Sequence, residues 1–137
     1  MSLTVQFITA FNGRRFHQTL ALLTQRVSVS DCDYKNVRVV SLDGRQAVGR
    51  WLRQRFADHD RLIPARIYDE NPDQPFGVVG VEYSRRTSDT LRRLGFPKGI
   101  VPKLASKVGF ATQPLRIRAF ANGPYGGDPN LCRPSGP

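Results

Sequence analysis

The chain has 137 residues and a formal net charge of +10, enough for one domain that buries roughly 68% of its unfolded surface. At 39% apolar residues it is too hydrophobic to be disordered throughout, and it has no apolar run near the ~18 residues that a membrane span needs. The two cysteines, Cys32 and Cys132, make neither a disulfide framework nor a metal cluster, and Met1 to Ala10 lacks the basic end and apolar block of a secretory leader, so a reducing, cytoplasmic setting is expected.

In chain order, Leu3 to Asn12 predicts a helix, because Thr4, Phe7, Ile8 and Phe11 recur at three- and four-residue spacing and make one apolar face. Asn12-Gly13 is expected to end it, as residues that tolerate a left-handed backbone do. A second helix is expected from about Arg14 to Thr24, with Phe16, Leu20 and Leu23 on one side. Val27 to Asp31 then alternates strictly, with Val27, Val29 and Asp31 on one face of a strand. Val37 to Leu42 is a second strand by its β-branched content. Asp43 reads as an N-cap for the clearest helix, Gly44 to Asp58, whose buried stripe is Val48, Trp51, Leu52 and Phe56. Arg45, Gln46 and Arg53 are expected to face water.

Beyond His59 the pattern turns to strands. Leu62 to Glu70 and Phe76 to Arg85 flank a turn rich in Asn, Pro and Asp, and Val101 to Phe110 and Leu115 to Ala121 follow. Thr87 to Ile100 is irregular, with a loop at Gly95 to Gly99. Residues 122–137 hold four Gly and four Pro and read as an extended tail, so the domain is expected to occupy 1–121. Helices first and strands last imply an α+β fold. A curved antiparallel sheet wrapped around about three N-terminal helices would leave a cone-shaped pocket between the layers.

The basic residues comprise 17 Arg and 4 Lys against 11 acids. They are scattered as single residues and pairs, such as Arg14-Arg15 and Arg92-Arg93, without the aromatic interleaving that stacks on single strands. Nucleic acid is a possible partner on charge alone but is not favoured, and an anion in a pocket is the alternative. His17 and His59 have no partner at metal-ligand spacing, so no metal is expected. No phosphate loop or Ser/His/Asp set is present, so no cofactor is expected.

Four stretches together resemble the nuclear transport factor 2-like superfamily, and in particular its SnoaL-like branch of small cyclases, isomerases and ligand-binding proteins. Phe7 to Gly13 followed by Leu20 to Leu23 is similar to that family's first two helices. Val27 to Asp31 is similar to its first strand, which commonly ends in an acid. Asp43 to Leu52 is similar to its Gly-led third helix. Leu94 to Gly99 is similar to a short Gly/Pro loop of the cyclases. The resemblance spans about residues 5–121 and rests on the order of the four stretches.

Asp31 is the sharpest candidate catalytic residue. Alternation turns it toward the apolar cavity, where a carboxylate is costly to ionise, and such a group suits acid-base work near neutrality. In the ketosteroid-isomerase relatives the acid at this place in the motif is the general base. The residues expected to line the pocket are Phe7, Phe11, Tyr34, Trp51, Tyr68, Tyr83, Ser106 and Arg118, with the tyrosines as hydrogen-bond donors. Trp51 also has a plain reading as core. Two departures stand out. The isomerase Tyr of the first helix corresponds to Phe7, and the second acid corresponds to Ser106, so that type of oxyanion hole lacks two donors. The acid and His that the cyclases carry late in the chain are not matched either, since the last strand offers Arg116 and Arg118. The expected function is binding of a small apolar or anionic molecule, with isomerase-, cyclase- or hydrolase-type catalysis at Asp31. A non-enzymatic interaction module is the rival from another class. The resemblance implies a homodimer.

Overall fold

Apolar spacing decides where the first helix packs. In the computed structural model, which describes residues 2–33, 36–69, 79–86, 89–95, 100–112 and 115–123, α1 covers Ser2–Asn12. It buries Thr4, Phe7, Ile8 and Phe11, the stripe that the spacing predicts. It ends at Asn12, as expected, but the residue that turns the chain differs. The left-handed residue is Arg14, with φ of 55°, and not Gly13. The Arg15 N–H donates to the Ala10 carbonyl, and the Arg14 N–H to that of Phe11, a Schellman pair that satisfies the last carbonyls of the helix. Asn12 has a second role. Its side chain donates to the Leu62 carbonyl at 2.7 Å and accepts from the Leu62 N–H at 2.8 Å, which fixes α1 to the strand that begins at Arg61.

The second helix, α2, is only Phe16–Ala21, shorter than predicted because Leu23 already belongs to β1, Leu23–Asp33. β2 is Arg38–Asp43, and α3 is Arg45–Ala57. Asp43 is not the N-cap of α3. It ends β2, and Gly44 stands at the cap with φ 89° and ψ 154° and no capping side chain, a conformation that only glycine adopts without strain. Its N–H is spent on the Val27 carbonyl, so β1 holds the start of α3. β3 is Arg61–Asp69, β4 Val79–Arg86, β5 Ile100–Thr112 and β6 Leu115–Gly123. β6 thus runs two residues past the expected domain boundary. Between β4 and β5 lies a short fourth helix, α4, Asp89–Arg93, where sequence predicted only irregular chain.

The six strands form one sheet in the order β2-β1-β6-β5-β4-β3. Four pairings are antiparallel, as the meander pattern implies. The fifth, β1 with β6, is parallel. It joins the first strand to the last, and the first-strand hairpin to the later meander. The helices cover this sheet, and the core lies between them. Phe7, Phe11, Leu23, Val27, Val29, Val48, Leu52, Leu62 and Ile117 form one buried cluster with Trp51. The Phe11 ring sits 5.9 Å from Trp51 and 5.4 Å from Phe56, centroid to centroid, within the range of favourable tilted and edge contacts. No helix among the described residues is long and apolar enough to cross a membrane.

Candidate functional site

β1 delivers its buried face in the predicted alternation: Val27, Val29 and Asp31 are all buried, with Asp31 only 4% exposed. The two valines pack into the core, whereas Asp31 reaches beyond it to a cavity of about 600 Å³, a volume usual for a small-molecule site. β1 contributes Asp31, Cys32 and Asp33 to its wall, β2 adds Val40 and Leu42, and α4 with the residue after it adds Thr90, Leu91 and Leu94. The remaining wall is one face of α3, made of Ala47, Arg50, Trp51, Gln54 and Arg55. Their spacing of three and four residues is a second helical stripe beside the core stripe, and Trp51 belongs to both.

The Asp31 carboxylate is not in bare apolar surroundings. Its Oδ1 accepts from the Cys32 backbone N–H at 2.7 Å, and its Oδ2 accepts from the Trp51 indole N–H at 2.9 Å. Both donors are fixed, one by the strand and one by the helix, so the orientation of the carboxylate is set before any ligand arrives. Hydrogen bonds to an ionised acceptor are among the stronger ones in proteins. The indole also solves a packing problem, since a buried Trp N–H needs an acceptor.

Arg55 lies one turn further along α3. Its side chain is 11% exposed, and Nη1 stands 3.8 Å from Oδ2 of Asp60, whose side chain is fully buried. The Asp60 N–H donates to the Arg55 carbonyl at 3.0 Å, made possible by His59 in the left-handed region with φ of 57°. Arg55 Nε is buried with no hydrogen-bond partner among the described residues, and a buried donor left unpaired costs about 1–3 kcal/mol. At the C-cap of α3, Asp58 ties that helix to α4, its Oδ1 accepting from both the N–H and the hydroxyl of Thr90.

The other expected lining residues divide into three groups. Phe7 and Phe11, at 0% and 1% exposure, fill the core and are not in the wall of this cavity. Tyr68, Tyr83, Ser106 and Arg118 lie on β3, β4, β5 and β6, and their side chains are outside the described part. Tyr34 lies outside the described residues. Arg45 does not simply face water, since it donates to the Leu20 carbonyl at 3.0 Å. Cys32 is disulfide-bonded, which removes the thiol argument for a reducing compartment; Cys132 lies outside the described residues. Sequence reasoning missed Arg55, Gln54 and Arg50 because polar residues on a helix ordinarily mean a solvated face. The available signal was their common spacing with Ala47 and Trp51.

No protein-family model matches the sequence, and neither does any curated protein. Solved structures do match in shape. A dehydratase candidate of the nuclear transport factor 2-like family from Streptomyces avermitilis is 14% identical, with a TM-score of 0.64 over 90% of this chain and 92% of that one. The chain has the nuclear transport factor 2-like fold. SalBIII, an epoxide hydrolase/cyclase-like enzyme of pyran ring formation in salinomycin, shares the fold at 10% identity, with a TM-score of 0.68 over 93% of this chain and 91% of that one. The orange carotenoid protein of Anabaena, solved with canthaxanthin, matches 95% of this chain with 37% of its own length, at 16% identity and a TM-score of 0.68. Within that fold, the buried Asp31 lies at the wall of the cavity between β1, β2 and α3.

Proposed function

We propose that the protein binds a small, largely apolar molecule in the cavity beside Asp31, and that Asp31 serves as the proton-transferring group of an isomerase-, cyclase- or hydrolase-type reaction. The observation that carries this reading is a buried carboxylate held by two fixed N–H donors at the wall of a cavity of about 600 Å³. A core acid with no function would be expected to be enclosed completely, whereas this one borders space that a ligand can fill. A base at such a place can take a proton from a bound carbon or hydroxyl acid, or from an attacking water in a hydrolase-type reaction, and return it at a neighbouring atom or to the leaving group.

A thermal-shift screen against a metabolite panel tests the binding step, since a ligand at a hundred times its Kd stabilises by about 2.7 kcal/mol. Ala47→Trp, which fills the cavity from α3, abolishes the shift if the reading is right. Turnover found in the same panel should be lost in Asp31→Asn; unchanged turnover removes Asp31 from the chemistry. Binding without turnover, insensitive to Asp31→Asn, leaves a carrier or interaction module instead of an enzyme. The homodimer is part of the same proposal, and a monomer mass by light scattering removes it.

A further inference from the structure

We propose that residues 124–137 are a strap over the entry to the cavity, tied down by a disulfide between Cys32 and Cys132 and released when that bond is reduced. The chain holds two cysteines, and Cys32 is disulfide-bonded within the single chain, so its partner is Cys132 by elimination. Cys32 is a wall residue of the cavity. It also follows Asp31 directly, and its N–H donates to Asp31 Oδ1. A covalent bond at this place brings the end of the chain to the rim of the candidate site.

The sheet puts the start of the strap at the same point. β1 and β6 run parallel, with Ser30 level with Ala121, so β6 ends at Gly123 beside the end of β1, where Cys32 stands. Neighbouring strands lie about 4.8 Å apart, and a disulfide needs Cα atoms about 4.4–6.8 Å apart. From Gly123 to Cys132 an extended chain reaches about 30 Å, far more than the gap to be closed. Residues 124–131 thus leave the rim and return to it, and their Pro, Gly-Gly and Asp-Pro content suits such a reversal. Around Cys32 the protein offers an apolar seat. Leu91 is fully buried there, with Val37, Val39 and Leu94 packed half-buried against the pair. Leu131 precedes Cys132, and the bond carries it to this seat. Leu91 and Leu94 belong to the cavity wall as well, so what covers the seat also narrows the entry. Release needs a dithiol reductant. Its first thiolate forms a mixed disulfide with one cysteine and frees the other; its second thiol resolves that bond, and the dithiol leaves oxidised while Cys32 and Cys132 become thiols.

Trp51 supplies the test, because it is the single tryptophan of the chain, is 7% exposed and lies in the cavity wall. Its fluorescence therefore reports how freely a small neutral quencher, acrylamide, enters. In the full chain the Stern–Volmer constant should at least double on reduction with a phosphine, and equally in Cys132→Ser without reductant, while the far-ultraviolet circular dichroism stays unchanged. An unchanged constant overturns the proposal. Tryptic digestion of the unreduced monomer should give peptides 27–35 and 119–137 joined as one mass that reduction separates. Free thiols in that digest, or a bond found only between two chains, overturn it as well. If reduction and Cys132→Ser both unfold the chain, Leu131→Ser decides, since it keeps the bond and weakens only the seat. A higher quenching constant in that variant supports the strap, and a wild-type constant overturns it. The quencher needs no ligand, so a metabolite screen without hits leaves the strap standing, and a failed quenching test leaves the reading of Asp31 where it was.

Discussion

The two stripes of α3 are built from the same helix and meet at Trp51, yet they do opposite things. One stripe, Val48 and Leu52, is fully buried and meets Phe7, Phe11 and Leu23 in a continuous apolar cluster. The other, Ala47, Arg50, Gln54 and Arg55, borders the cavity, and its Arg55 carries a buried Nε with no hydrogen-bond partner among the described residues. Close packing on the first side makes the helix position rigid. That rigidity is what allows the second side to hold polar groups at fixed places without filling the space between them. The core stripe and the cavity wall thus lie side by side on one helix, and Trp51 joins them, with its ring in the core cluster and its N–H on Asp31.

If this division is right, substitutions on the two stripes should differ in kind. Leu52→Ala should have the largest effect on stability, a loss of about 2–5 kcal/mol read from denaturant midpoints, while the ligand-induced gain is kept. Ala47→Trp should leave denaturant stability nearly unchanged while removing the ligand-induced gain of about 2.7 kcal/mol expected at a hundred times Kd; a large loss of stability without ligand would mean that the cavity side is packed like the core. Trp51→Phe lies between them. It keeps the ring against Phe11 but withdraws one donor from Asp31, and should cost about 1–3 kcal/mol together with weaker binding. Gly44→Ala tests the hinge of both stripes. No atom lies within 4 Å of the added Cβ, so the backbone strain alone should cost about 1–3 kcal/mol.

The smallest effect should come from Asp33 at the rim. The Asn36 amide first, and then the Arg38 guanidinium, hold its carboxyl below the ordinary carboxylate value of 3.8, against a partial burial that pushes the other way. A folded-state value below the unfolded one gives stability that is present above 3.8 and lost as the pH falls through the lowered value. Asp33→Asn should therefore flatten the acid limb of the stability curve slightly and leave stability at pH 7 lower by a small amount. An acid limb identical to the wild type would show that this rim cluster contributes nothing.

Much of the architecture was legible along the chain. The stripe on α1, the alternation of β1 and the core stripe of α3 are local periodicities, and each is found buried as expected. Errors occurred where local chemistry was outvoted by contacts distant in sequence. Asp43 has the side chain of a cap but is taken by β2, because pairing with Ser28 extends the strand to that point. Gly13 has the freedom for a left-handed turn, but Arg14 adopts it. Asn12 looks like punctuation and is in fact bonded to Leu62, fifty positions away. In the candidate site, Asp31 was legible because alternation and burial agree at the end of β1. Arg55 was not, because nothing in a run of arginines and glutamines tells which one stands beside Asp60.

Periodicity and composition were sufficient for the element order, the α+β class and the side of β1 on which Asp31 sits, since these follow from the fixed geometry of helix and strand. Which strand lies beside β1, that Trp51 donates to Asp31, and that Arg55 stands beside the buried Asp60 were decided only when distant segments met. Hydrogen-bond partners and burial depend on where the rest of the chain goes, and no local repeat encodes that.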